Sequence, residues 1–157
     1  MTDPILSAAR RFIANGFSTL RSVVEVVPPG ALNWRPAGEE TNSIAVLVTH
    51  AAYSTRMLLA MALGLPMPSR DRPAEFAATA EDGESLLHLV DGLSAECLTL
   101  LDDAGPIDWA TRRQRKRDGG EVVEIPAAEA LFHAVEHLRG HADEASLTRH
   151  FWLHGSR

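Results

Sequence analysis

The stretch ALFHAVEHLRGH, residues 130–141, decides the fold of this chain. At about 100° per residue, one arc of the helical wheel is apolar and continues beyond the stretch: Leu131, Ala134, Leu138, Ala142 and Ala145. The opposite arc is charged: Glu136, Arg139, Asp143 and Glu144. The pattern predicts an amphipathic helix packed against a core, which we place from Pro126 to about Phe151.

Three histidines of this helix, His133, His137 and His141, follow the border of the apolar arc. They can therefore face the groove between this helix and a neighbour. Imidazoles one turn apart can bind the same metal ion. His133 and His141 are separated by about 12 Å along the axis, which is too far for shared bonds of about 2.0–2.1 Å. The residues alone leave two chelating pairs open, His133 with His137 or His137 with His141.

A fourth histidine, His50, interrupts an apolar run over residues 44–52. A buried imidazole needs a polar partner, and His50 is thus the natural third ligand. The remaining histidines, His88, His150 and His154, have no such support and are predicted to be surface or terminal residues. No His-Glu-x-x-His motif and no Glu-x-x-His pair of the di-iron type is present.

Three further helices are predicted upstream. The first runs from an Asp3 cap and Pro4 to Pro28, the second from Thr41 or Asn42 to Leu63, and the third from a capping box at Thr79–Asp82 to Leu101. Four amphipathic helices of roughly 20 residues, each about 30 Å long, predict an all-α four-helix bundle. We expect long crossover connections and a single domain over residues 1–157.

The connection before the last helix contains a basic run, with five positive charges in residues 112–117. Residues 111–117 and 121–125 flank Asp118-Gly119-Gly120, which predicts a short hairpin. The favoured interpretation of the basic run is a solvated turn, followed by docking of an anionic substrate. No recognition helix or aromatic platform accompanies it, so we do not expect a nucleic-acid partner.

The composition restricts the class of protein further. Hydrophobic residues make up 45% of the chain, which is typical of a globular fold, and the net charge of −6 disfavours a nucleic-acid binder. With a single cysteine, Cys97, an internal disulfide is excluded, and we expect the protein to be cytoplasmic. Cys97 itself is expected to be a small buried residue. The N-terminus lacks a signal-peptide pattern, and polar residues interrupt the apolar stretch 44–65. We therefore expect no membrane association.

The segment LNWRP, residues 32–36, followed by NSIAVLVTH, residues 42–50, resembles the start of helix two in DinB-like proteins. Residues 131–141 resemble the last-helix signature of the same family. This resemblance implies a four-helix bundle, often a homodimer, with a divalent metal held by His50, His137 and His141. His133 would then be a groove residue that supports the ligands. The chain departs from many relatives directly after the last ligand, where it has Ala142-Asp143-Glu144 and they have Arg-Gly-Gln or Leu-Gly-Gln.

Three neutral ligands leave a divalent ion its full charge and an open position, which is typical of a catalytic site. Zinc or nickel is the expected metal, and imidazoles suit both. The resemblance implies, as the leading function, a metal-dependent transferase that acts on a small-molecule substrate with a low-molecular-weight thiol. The alternatives are a metal-dependent hydrolase and a non-catalytic, metal-binding or stress-related dimer. Tyr53 is expected to have a packing role. Trp34 and Arg35 are expected to anchor a loop.

Overall fold

The computed structural model describes residues 3–116 and 119–155, which are mostly helical. The elements in chain order are α1 (Pro4–Val26), α2 (Pro29–Leu32), α3 (Ile44–Leu63), α4 (Arg72–Phe76), α5 (Gly83–Asp102), β1 (Arg112–Lys116), β2 (Val122–Pro126) and α6 (Ala127–His154). A 3-10 turn at Gly38–Glu40 precedes α3. The structure thus confirms the predicted all-α class, with two short helices and one hairpin added to the four long helices.

The four long helices form a bundle in which α3 packs against α5 and α6, and α1 packs against the same two helices. Helices α1 and α3 lie diagonally across the bundle, and so do α5 and α6. The first and third connections therefore cross the bundle, whereas the second joins neighbouring helices. The apolar arc predicted for α6 is confirmed, because Leu131, Ala134, Leu138, Ala142 and Ala145 are all buried.

The start of α3 differs from the prediction. The N-cap is Ser43, whose hydroxyl accepts a hydrogen bond from the Val46 N–H, rather than Thr41 or Asn42. The helix ends where predicted, at Gly64 with φ of 72°, a conformation that favours glycine. By length and composition the segment Gly38–Leu63 could cross a membrane, but 78% of its most apolar window is buried inside the fold. Burial within the bundle therefore explains the apolar character of this segment.

The start of α5 also corrects the predicted capping box. The cap is Asp82, whose carboxylate accepts hydrogen bonds from the N–H groups of Glu84 and Ser85. Thr79 lies three residues before this cap, outside the first turn, so its hydroxyl has no helical N–H to accept from. The predicted cap of α1 is confirmed, since the Asp3 carboxylate accepts from the Ile5 N–H and Pro4 begins the helix.

The predicted hairpin is confirmed, with β1 and β2 paired antiparallel from Arg112 opposite Pro126 to Lys116 opposite Val122. Gly120, with φ of 84°, lies in the connection, while Arg117 and Asp118 are outside the described residues. The hairpin lies against α3 and α6. A Cβ at Gly64 would come within 2.8 Å of the Arg113 guanidinium, so a glycine at the end of α3 makes room for this strand.

Candidate metal centre

The bundle brings together His50 from α3 and His137 and His141 from α6. One ring nitrogen of each lies within 4.8 Å of the other two. The His50 ring centre lies 5.0 Å from that of His137 and 5.1 Å from that of His141. His137 and His141, the pair that the family resemblance implied, thus lie together with His50.

The His50 ring is held by a buried ion pair. Its Nδ1 lies 2.9 Å from Oε2 of Glu75, a carboxylate in α4 that is 3% exposed. The carboxylate accepts two further hydrogen bonds from Arg70, of 2.6 Å to Oε1 and 2.7 Å to Oε2. Because an ionised carboxylate accepts hydrogen bonds, we assign the proton of His50 to Nδ1. The lone pair of Nε2 is then directed at the histidine cluster.

The other two histidines are supported differently. His141 Nδ1 lies 3.1 Å from Oε2 of Glu144, the residue that departs from the family pattern. His137 Nδ1 is buried and has no hydrogen-bond partner among the residues that the structure describes. The ring of His137 is instead held by its neighbours, with ring centres at 4.5 Å for His141 and 5.7 Å for His133. Carboxylates therefore orient two of the three rings, and packing orients the third.

Two imidazoles of this cluster, those of His137 and His50, favour the neutral form. Burial lowers the pKa of His137 to about 3, and the nearby rings of His141, His50 and His133 add to the shift. Burial also lowers the pKa of His50, against the opposing hydrogen bond to Glu75. A neutral imidazole has the lone pair that a metal requires, so burial prepares the cluster for a cation.

The donor set fits a divalent transition metal. His50 Nε2 and His137 Nε2 are 3.3 Å apart. Two nitrogens on a tetrahedral ion with bonds of about 2.0–2.1 Å are separated by about 3.3–3.4 Å. Two imidazole nitrogens at this distance need either a shared proton or a cation between them. The site therefore fits a three-histidine metal centre in donor type and, for the His50–His137 pair, in separation.

A cleft of about 740 Å³ lies beside the cluster. His50, His137 and His133 line it, together with residues from α3, the second connection and the hairpin. The position of His133 agrees with the predicted groove residue, and its Nδ1 lies 3.5 Å from Nη1 of Arg115. Burial, and then the charge of Arg115, lower the pKa of His133.

Arg70 and Glu75 lie in the connection between α3 and α5, where no site residue was predicted. Helix α4 is only five residues long, too short for an apolar period. One signal was present, since Asp71 caps α4 and Pro73 occupies its first turn, a typical helix start. No local pattern identifies a carboxylate that is buried by contacts with a distant helix.

The remaining side chains singled out in the sequence are not part of the three-histidine group. Tyr53 is half-buried against the core and lines a separate small cavity. Trp34 packs edge-on against Trp152 at 5.4 Å, which fits a loop anchor. The histidines predicted to be on the surface are exposed: His88, His150 and His154. Cys97 is fully buried, and burial raises the pKa of its thiol to about 12.

The chain belongs to the DinB superfamily, whose family model matches residues 15–145. This match confirms the resemblance that the two histidine-containing segments predicted. No curated protein matches the chain significantly.

Solved structures are similar in fold. A conserved protein from Enterococcus faecalis has a TM-score of 0.72 at 15% identity, covering 94% of this chain and 96% of that one. A mycothiol-dependent maleylpyruvate isomerase has a TM-score of 0.65 at 19% identity, and a mutant of a mycothiol-dependent maleylpyruvate isomerase aligns equally well at 17%. The latter two alignments cover 89% of this chain and 60% of the other. At these identities the similarity shows a shared fold.

Proposed function

We propose that this protein is a metal-dependent transferase that acts with a low-molecular-weight thiol on a small-molecule substrate. The proposal is carried by the histidine cluster, in which His50, His137 and His141 bring three ring nitrogens together beside an accessible cleft. Zinc and nickel are the proposed metals. Such an ion, held by three neutral ligands, would supply positive charge that stabilises a thiolate near neutral pH.

The residues of the chain prepare the site in two ways. Glu75, ion-paired with Arg70, fixes the tautomer and orientation of His50. Burial keeps the pKa of His137 low, so protons do not compete with a cation at neutral pH. Three protein ligands and an adjoining cleft are typical of a catalytic centre, because a structural zinc site is closed by four protein ligands.

The thiol in this proposal comes from outside the chain. Cys97 is fully buried and its thiol has a raised pKa, so it is neither reachable nor ionised. Similarity in fold to a mycothiol-dependent enzyme supports an external thiol. A single unpaired cysteine also supports the cytoplasm as the proposed location.

Cobalt substitution tests this function directly. We expect about one equivalent of metal in the wild type, a marked loss in His137→Ala, and full retention in the matched surface variant His88→Ala. Addition of a small thiol to the cobalt protein should then produce a thiolate-to-cobalt absorption band. Metal binding without a thiol response, combined with metal-dependent ester or amide hydrolysis, would favour a hydrolase. Absence of metal after reconstitution would contradict the whole proposal.

The family resemblance also supports a homodimer, which we include in the proposal. Light scattering during gel filtration measures the molar mass directly. A mass near twice 17.1 kDa at micromolar concentration is expected. A mass of one chain at all accessible concentrations would contradict it.

A further inference from the structure

The cleft beside the histidine cluster is lined by positive charge. Arg115 and Lys116 of β1 line one side, and Arg70 and Arg72 of the second connection line another. Among the described residues that line the cleft there is no aspartate or glutamate. This concentration of cations is local, since the chain as a whole carries a net charge of −6. A cleft lined by one sign of charge attracts ligands of the opposite sign.

The four cations are not equivalent. Arg70 is occupied by Glu75 and Ser54, and the Arg72 guanidinium lies 4.8 Å from the centre of the Phe76 ring. Within residues 3–116 and 119–155, neither Arg115 nor Lys116 forms an ion pair with a carboxylate. The guanidinium Nη1 of Arg115 lies 3.5 Å from Nδ1 of His133. β1 therefore places Arg115 beside His133 and Lys116 in the lining of the same cleft, and both cations can bind an anionic partner.

The same cleft has an apolar portion. Three methionines, a leucine and a valine line it: Met57, Leu58, Met61, Met67 and Val122. Methionine side chains are flexible and polarisable, and they adapt to irregular apolar shapes. The lining thus combines an apolar surface, two cations that pair with no carboxylate among the described residues, and the rings of His50 and His137.

We propose that the ligand of this cleft is a small molecule with a carboxylate or similar anionic group on an apolar body, and that Arg115 and Lys116 bind the anion. This inference rests on the proposed function, because it places the metal-binding end of the ligand at His50 and His137. It also gives the basic run a binding role instead of that of a solvated turn.

The test compares two thiols of similar size, thioglycolate, which carries a carboxylate, and 2-mercaptoethanol, which is neutral. Their affinities for the cobalt protein are measured by absorption and by calorimetry. Loss of a hydrogen-bonded charge partner costs roughly ten-fold or more in affinity, so we expect thioglycolate to bind at least about ten-fold tighter. Arg115→Gln/Lys116→Gln should remove this preference and leave the affinity for 2-mercaptoethanol unchanged. Arg112→Gln, an exposed position on the same strand outside the cleft, is the matched control.

The outcomes separate the two proposals. If neither thiol changes the cobalt spectrum, the proposed function fails. Calorimetry with isovalerate, a carboxylate without a thiol, then still tests whether Arg115 and Lys116 bind an anion. If isovalerate competes with thioglycolate but not with 2-mercaptoethanol, the carboxylate that the cleft binds belongs to the thiol. If isovalerate binds while a thiol is bound, the carboxylate belongs to the second substrate. Equal affinities for both thiols in the wild type, or a preference that survives in the double variant, would overturn the inference.

Discussion

Glu75 and His50 illustrate how a single buried contact can determine the chemistry of a side chain. The carboxylate is 3% exposed and is neutralised by Arg70, which also contacts Ser54 beside His50. An ion pair in this position fixes which nitrogen of His50 carries the proton and holds the ring plane. Glu144 has the same relation to His141, but at 45% exposure its carboxylate is solvated, and solvent weakens its hold on the ring.

Glu75→Gln removes the charge that orients His50 and leaves Arg70 without its counter-ion. We expect the affinity for zinc to fall by about 10–100-fold, the usual cost of losing a partner of a metal-ligating histidine. Competition with a chromophoric chelator measures the affinity, and circular dichroism verifies the fold. Glu144→Gln is the control and should change the affinity less. Equal effects of the two substitutions would show that burial of the carboxylate is unimportant.

Cys97 should be inert in the folded protein. Burial raises the pKa of its thiol to about 12, whereas an exposed thiol titrates near 8.5. Alkylation by iodoacetamide at pH 8.5 should be at least roughly 100-fold slower in the native protein than in denaturant. The unfolded chain releases the thiol proton first, so this group also lowers the free energy of unfolding as the pH rises above about 8.5. Rapid native alkylation would show that the thiol is accessible.

At the scale of elements, the close approach of α1 and α6 depends on one glycine. Gly16 is in the middle of α1, where glycine normally weakens a helix. Its missing side chain makes room for Leu138, since a Cβ there would lie 2.6 Å from Leu138 Cγ and Cδ2. Leu138 is adjacent in sequence to His137, so this contact also sets how deeply the histidine face of α6 lies in the bundle.

Gly16→Ala should destabilise the protein even though alanine is the better helix former. Overpacking costs about 1–3 kcal/mol and helix propensity returns about 1 kcal/mol, so we expect a net loss of up to about 2 kcal/mol. Urea unfolding monitored by circular dichroism measures it. The control is Gly92→Ala in α5, where nothing lies within 4 Å of the added Cβ and a gain of up to about 1 kcal/mol is expected. A gain at both positions would contradict the close packing at Gly16.

At the scale of the whole molecule, the bundle arrangement creates the site. Helices α3 and α6 are far apart in sequence but pack side by side, and the second and third connections lie over the groove between them. A metal ion bound by both helices would therefore link them only in the folded state. Binding of this kind is expected to increase the stability of the entire bundle.

Metal should raise the melting temperature of the purified protein. At a free metal concentration of 100 times Kd, binding stabilises the native state by about 2.7 kcal/mol. For a domain of this size that corresponds to roughly 5–10 °C. Differential scanning calorimetry with zinc, and then with excess chelator, measures the shift. His141→Ala should remove the response to metal and His88→Ala should retain it. An unchanged melting curve in a metal-loaded sample would contradict a site that links the helices.

Much of the fold was predictable because the information is local. The apolar arc of residues 131–145, the Asp3 cap and the Gly64 stop each depend on neighbours within a turn. The starts of α3 and α5 were misplaced by one to three residues, because several capping residues stand close together and packing decides between them. Helix α4 was missed because five residues carry no period.

By itself, the sequence determined that the chain is an all-α member of its family with histidines on one edge of a core helix. Hydrophobic periodicity and helix-capping residues are local features, so they can be read from the sequence directly. Only the tertiary structure decided which histidines meet, because the separation of His50 from His137 depends on how α3 packs against α6. It also decided that Glu75, Arg70 and the cations of β1 join them. Burial and ion pairing arise from contacts between distant segments, which no local pattern records.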